Sequence, residues 1–330
     1  MTWRSRRWAG FEFGRPYATL FGRFVVPPSA RRPPYWRLNP SWNQLFLSPL
    51  HLNDETAPLY LDAMRDHGAE ALESYPSSAY ILARHAEAAG RVLPLRCVFT
   101  TSEPLLAHQR RVIEERFRCR VFDTYSQAER VMFSSECETH DGHHVYDEYG
   151  VTELVDETGA PVAVGTVGRV VATGLHNFGM PLIRYALRDA TAMSGRACAC
   201  GRTLALAAAV ATKEEDVLVS PDGRMLSASL LTSVFKSVDT VAASQVLQDR
   251  PDEVTVRVVP RDGFSEGDER AIERGLHARL GDGVRVRFER VSEIPLSGRG
   301  KFRWVISSVP LRWGTASAGR LHEERQAGRG

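Results

Sequence analysis

The chain has 330 residues, 43% hydrophobic and 25% charged, with a formal net charge of +2. That length supports two domains and a sizeable core, and so small a net charge gives no reason to expect a nucleic-acid partner. The longest apolar run, 204–211 (LALAAAVA), is far too short to span a bilayer, so no membrane association is expected.

The start carries Arg4, Arg6 and Arg7 with no apolar segment behind them, so it shows no leader pattern and reads as a solvated end. Five cysteines are an odd count for a disulfide framework. A reducing compartment, the cytoplasm, with room for a metal site fits better. Residues 11–56 are rich in Pro and aromatics and read as loops and short strands. Residues 58–90 read as helical, with a break at Tyr75-Pro76-Ser77-Ser78. Leu93 to Thr100 reads as a buried strand. Ser102-Glu103-Pro104 then turns into a helix built on Leu105, Val112, Ile113 and Phe117, and Cys119 to Phe122 is a second strand. Two strands joined by a helix should lie parallel, with ligands at their carboxyl ends. Those ends are Thr100–Pro104 and Asp123–Glu129.

Residues 144–193 alternate as antiparallel strands with turn signals between them. Pro221-Asp222-Gly223 is a turn between short strands. Val254–Val259, a helix from Ser265 to Gly281 with Ile272, Leu276 and Leu280 four apart, and Val284–Val291 form a small αβ unit, whose start is set near Lys213–Asp216. Residues 311–330 read as a flexible tail. The expected class is therefore α/β (α+β). Residues 1–213 form a mixed-sheet large domain, 214–310 a small C-terminal lid domain, and 311–330 the tail.

Several residue sets could carry chemistry. Cys137, His140, His143, His144, Cys198 and Cys200 offer soft ligands, and Cys198-Ala199-Cys200 supplies a thiolate pair. Spacing alone leaves a closed tetrahedral zinc and unrelated Cys and His as equal readings. Glu129, beyond a strand end, is either a Mg²⁺ ligand or an acid at a helix start. Asp189 is either a turn residue or an acceptor for ribose hydroxyls. Lys301, in PLSGRGKFRW, fails the phosphate-loop consensus, because Pro295 and Phe302 stand where Gly and Ser/Thr are required.

Seven segments in order resemble the phenylacetate–CoA ligase branch of the adenylate-forming enzymes: TTSEPL, VFDTYSQAERV, SSECETHDGHHV, VATGLHNFGMPLIRYALRDA, CACGRTL, KEEDVLVSPDGRML and PLSGRGKFRWV. The resemblance implies a two-step reaction. ATP and a small carboxylic acid give an acyl-adenylate and pyrophosphate, and CoA or another thiol then displaces AMP. It implies that Ser102, Glu103 and Pro104 line the adenine pocket and that Asp123, Tyr125 and Ser126 border the nucleotide. Glu129 would bind Mg²⁺, and Asp189 would hold the ribose, assisted by Lys213. Lys301 would reach the carboxylate and α-phosphate from a lid that rotates about Glu215 and Asp216. It also implies a structural zinc on Cys137, His144, Cys198 and Cys200, with His144 favoured over His143. The family's Ser/Thr/Gly-rich phosphate loop is expected upstream of residue 1, with about a third of the large domain. Ser126 replaces a usual Gly, and Thr212-Lys213 stands where Gly-Arg is common. The alternative expectation is a partner-dependent binding or scaffold module, acting as a dimer or with a complementing chain.

Overall fold

The computed structural model describes residues 1–156, 158–208, 217–236, 238–294 and 303–310. In chain order the elements are α1 (Thr2–Trp8), β1 (Tyr17–Leu20), β2 (Trp36–Asn39), β3 (Gln44–Leu47), α2 (Ala57–Asp66), β4 (Ala71–Ser74), α3 (Pro76–Ala88), β5 (Cys97–Thr101), α4 (Ala107–Phe117) and β6 (Arg120–Ser126). There follow β7 (Phe133–Glu136), β8 (His143–Val145), β9 (Gly150–Val155), β10 (Gly168–Gly174), β11 (Tyr185–Thr191), β12 (Leu206–Ala207), β13 (Val217–Val219), β14 (Met225–Ser227) and α5 (Thr232–Lys236). The last are β15 (Val241–Arg250), β16 (Glu253–Pro260), α6 (Glu266–Leu280), β17 (Arg285–Arg290) and β18 (Val305–Ser307). The fold is mixed α/β. Among the described residues no helix is long and apolar enough to cross a membrane.

A nine-stranded sheet runs β12-β8-β7-β6-β5-β4-β1-β3-β2. Its centre, β3-β1-β4-β5-β6, is parallel, and β2 on one side and β7, β8 and β12 on the other are antiparallel. Alternation along the central strands sends Leu72, Val98 and Val121 to one face, against Leu61 and Met64 of α2, Ile81 and Leu82 of α3, and Ile113 and Phe117 of α4. Their neighbours Ala71, Cys97, Phe99 and Phe122 face the other way, toward Phe11, Tyr17 and Trp3. Each such large apolar side chain contributes roughly 1.5–3 kcal/mol by leaving water. β9, β10 and β11 form a separate antiparallel sheet.

The last part has its own core. In β16 the buried positions alternate, Val254, Val256 and Val258, and they meet Ile272, Leu276 and Leu280 of α6. The Asp268 carboxylate accepts the backbone N–H and the hydroxyl of Ser265 at 2.9 and 3.0 Å, which starts α6 as the sequence expects. Leu50, from far upstream, is inserted into this core, and Arg224 donates to the Leu50 carbonyl at 2.5 Å.

Three sequence expectations change. Residues 71–74, inside the stretch read as helical, form β4. The positive φ of Gly68 ends α2, and the short ALES segment is claimed by pairing with β1 and β5. The arginine-rich start is helix α1, in which Arg4 and Arg7 stay exposed as expected while Arg6 is buried. Arg6 is only 6% exposed, is ion-paired with Glu73, and lies 4.3 Å over the Trp3 ring. The strand expected from Leu93 starts only at Cys97. The hinge at Lys213–Asp216, the tail 311–330, Lys213 and Lys301 lie outside the described residues.

Candidate active site and metal centre

Strand β5 lies beside β6 with Thr100 opposite Asp123 and Thr101 opposite Thr124, so the two carboxyl-terminal loops emerge together. Ser102 takes a left-handed backbone (φ 72°) as the chain leaves β5. This conformation costs a non-glycine residue roughly 1 kcal/mol, and it turns the TSEP segment across the sheet end. Glu103 accepts the backbone N–H of Ser77 at 3.1 Å, at the start of α3. Pro104 is half-buried and Ser126 is exposed.

Asp123 accepts the Thr100 hydroxyl at 2.6 Å, and its other oxygen is 3.6 Å from His143 Nε2. Burial pushes its carboxyl up to about 7, with the Thr100 hydrogen bond opposing that shift. Its neighbour Glu136 goes the other way. Burial alone would raise it, but the His140 hydrogen bond and the Arg110 charge outweigh burial and hold it at about 2. Arg110 reaches Glu136 at 2.7 Å, and His140 reaches it at 3.2 Å. Two carboxylates on adjacent strands are thereby driven apart in protonation by what surrounds each.

Tyr125 donates its hydroxyl to Asp189 Oδ2 at 2.7 Å, joining residues 64 positions apart. Two local features make this possible. β11 bulges between the pairs Arg169–Ala190 and Val171–Ala186, so Asp189 sits in an irregular stretch that leaves the ladder. The turn after β6 also presses directly on the smaller sheet. A Cβ on Gly150 would lie 1.9 Å from the Val131 carbonyl oxygen, so only glycine admits that approach. Gly150 is paired with Gly174 on β10, whose own Cβ would meet the Arg130 carbonyl at 3.2 Å. Tyr185 at the start of β11 donates to Glu129 at 3.5 Å, a long contact, and Glu129 is otherwise exposed.

On the other side of β6 the four sequence-selected ligands converge. The ligand atoms of Cys137, His144, Cys198 and Cys200 all lie within 4.8 Å of one another. Strand alternation separates the histidine pair, because adjacent residues of β8 face opposite ways. His144 faces Cys200, with Nε2 3.4 Å from its Sγ, while His143 faces Asp123. The donor set fits a tetrahedral zinc. Cys137 Sγ and Cys198 Sγ are 3.7 Å apart, too far for a disulfide. That spacing is close to the edge of about 3.8 Å that ~2.3 Å zinc–sulfur bonds give in a tetrahedron. Without a cation, burial pushes the Cys137 thiol up to about 11. The Thr139 hydroxyl lies 3.1 Å from both Cys137 and Cys198. Trp8 of α1 sits edge-on to His144 at 5.4 Å, and the Arg202 guanidinium lies 4.4 Å above Trp8.

Sequence reading missed Thr100 as a partner of Asp123, Gln127 beside Tyr125, Tyr185 beside Glu129, and Trp8 over the cysteines. The first three lie inside or next to the motif segments, so their proximity was available but their hydrogen bonds were not. Trp8 had no signal in its own neighbourhood.

Comparison with known proteins agrees with this architecture. Residues 218–308 match the CapK C-terminal domain family. Protein CapK of Staphylococcus aureus is 24% identical over 308 residues, which cover 91% of this chain and 66% of that protein. A phenylacetate–coenzyme A ligase of Thermus thermophilus is 30% identical over 163 residues, covering 47% of this chain and 37% of the ligase. The chain thus spans less than two thirds of the length of either relative. A crystal structure of 2-hydroxyisobutyryl-CoA ligase, in complex with 2-HIB-AMP and CoA in the thioesterification state, superposes with a TM-score of 0.52 at 18% identity. It covers 93% of this chain and 70% of that one, and the likeness concerns the fold. The relatives compared are CapK and phenylacetate–CoA ligases, and the superposed structure is a CoA ligase. The resemblance read from the seven segments holds.

Proposed function

We propose that this chain carries the nucleotide-binding and lid elements of an AMP-forming acid–thiol ligase. The observation that carries the reading is the meeting of Tyr125 and Asp189 (2.7 Å) beside the paired carboxyl ends of β5 and β6. Open α/β sheets bind ligands at such ends. A carboxylate buttressed by a phenol there is suited to accept sugar hydroxyls. Asp189 holds the ribose, and the Ser102–Pro104 segment, Tyr125 and Ser126 border the base.

The first step joins a carboxylate oxygen of the acid to the α-phosphorus of ATP and breaks its bond to pyrophosphate. The second joins a thiolate, from CoA or another thiol, to the acyl carbon and releases AMP. Glu129 is the residue that would hold Mg²⁺, which screens the phosphate charge that otherwise repels the carboxylate. Lys301 supplies the positive charge at the carboxylate and α-phosphate, with Lys213 assisting at the ribose. Asp123, with its carboxyl pushed up to about 7, faces His143 and Thr100 and shapes the floor of the site. Cys137, His144, Cys198 and Cys200 would hold a structural zinc. With all four positions filled by protein, it would crosslink the segment after β7 to the 198–200 loop and leave no open position for substrate.

Acid-dependent ATP–pyrophosphate exchange tests the reading. Wild type should exchange label when supplied with a panel of small carboxylic acids, and Lys301→Ala should lose at least a hundredfold. Absence of exchange by wild type overturns the ligase reading and leaves a binding module that needs a partner.

A further inference from the structure

We infer that Gln127 is a positioning residue that fixes the direction of the Tyr125–Asp189 hydrogen bond and thereby the ribose preference of the site. This rests on the nucleotide reading of Asp189 proposed above.

The argument begins at a backbone group whose polarity cannot change. The Met132 N–H is a donor only, and it points at the side-chain amide of Gln127 at 3.1 Å. The atom it meets must therefore be the amide oxygen, Oε1. That choice turns the amide nitrogen toward Tyr125, whose hydroxyl oxygen lies 3.3 Å away and accepts from it. With its oxygen accepting there, the Tyr125 hydroxyl proton is free to point to Asp189 Oδ2, at 2.7 Å. The chain runs one way, from Met132 N–H through Gln127 and Tyr125 to Asp189. One carboxylate oxygen is thereby occupied and the other is left for ligand hydroxyls.

The anchor of this chain is firm for an independent reason. Met132 is 1% exposed, and Val131 beside it carries the carbonyl that closes on Gly150. The donor therefore cannot drift, and the half-buried Gln127 amide has a fixed reference. Linked hydrogen bonds also polarise one another, so the amide strengthens the phenol as a donor to Asp189. Gln127 reaches Asp189 only through Tyr125, to whose hydroxyl its amide donates.

Gln127→Met keeps length and bulk and removes both amide groups. The readout is the ratio of affinities for ATP and 2′,3′-dideoxy-ATP, measured by calorimetry on the full chain. Wild type should prefer ATP. In Gln127→Met that preference should fall about 5- to 10-fold, the size of one neutral hydrogen bond. Tyr125→Phe should lower it similarly, and the double variant should fall no further than the single ones. A role in folding alone would weaken both nucleotides equally and leave the ratio intact, and that result overturns the inference. A ligand-free crystal structure of Gln127→Met gives a second reading. The Tyr125–Asp189 contact should lengthen or re-aim, and an unchanged contact at 2.7 Å overturns the positioning role. Wild type that does not distinguish the two nucleotides overturns the ribose assignment of Asp189. The crystal structure then still rules on whether Gln127 orients the pair.

Discussion

Replacing Asp123 with Asn tests the charge balance at the sheet end. The side chain is 14% exposed and accepts the Thr100 hydroxyl at 2.6 Å. Burial raises its carboxyl from the ordinary 3.8 to about 7. The folded protein therefore keeps a proton in the window between those values that the unfolded chain has released, and stability falls as pH rises through it. At about 1.4 kcal/mol per pH unit, the window gives a ceiling of roughly 4 kcal/mol, complete above pH ~7 and absent below pH ~4. Asparagine keeps the shape, still accepts from Thr100, and carries no charge to desolvate. Asp123→Asn should match wild type near pH 4 and become progressively more stable than it toward pH 7 to 8. Guanidinium unfolding followed by tryptophan fluorescence, at fixed ionic strength across that range, measures the gap directly. A gap that stays flat, or that favours wild type more as pH rises, would refute the reasoning. It would mean that His143 and Arg110 hold the ionised form against burial.

Other perturbations follow from single contacts. Cys198→Ser should strip most zinc from protein purified with about one equivalent, and it should change Trp8 emission, read as the difference from Trp8→Phe, because Trp8 lies against His144. Unchanged zinc content by elemental analysis rejects the site. Arg6→Ala should cost about 1–3 kcal/mol by leaving the half-buried Glu73 without its partner, whereas Arg6→Met with Glu73→Leu should recover most of that loss in the same unfolding assay. Gly150→Ala should destabilise by about 1–3 kcal/mol or more, since its methyl must displace the Val131 carbonyl, and it should weaken nucleotide binding as the 127–132 turn moves. A melting temperature equal to wild type would show that the approach is looser than drawn.

Some of this protein was determined by its sequence alone. Helix α6 is legible in the spacing of Ile272, Leu276 and Leu280 and in the Ser265–Asp268 pair, because each signal lies within a few residues of its effect. The same holds for the β5–α4–β6 unit, and its parallel pairing follows from the helix between its strands. Six metal-type side chains in two short segments are visible in the sequence, and the family resemblance singles out the four that converge. Tertiary structure alone decided the rest. The ALES segment is a strand because β1 and β5 offer it partners on both sides. Arg6 is buried because Glu73, on a distant strand, lies beneath it. Local sequence gives Asp123 and Glu136 no difference in acidity, yet packing sets them at about 7 and about 2. Tyr125 finds Asp189 only because Gly150 lets the turn close on a second sheet. Backbone preference and side-chain periodicity act over a few residues, whereas desolvation and hydrogen-bond partnership depend on which distant groups share a space, and only the folded chain brings those together.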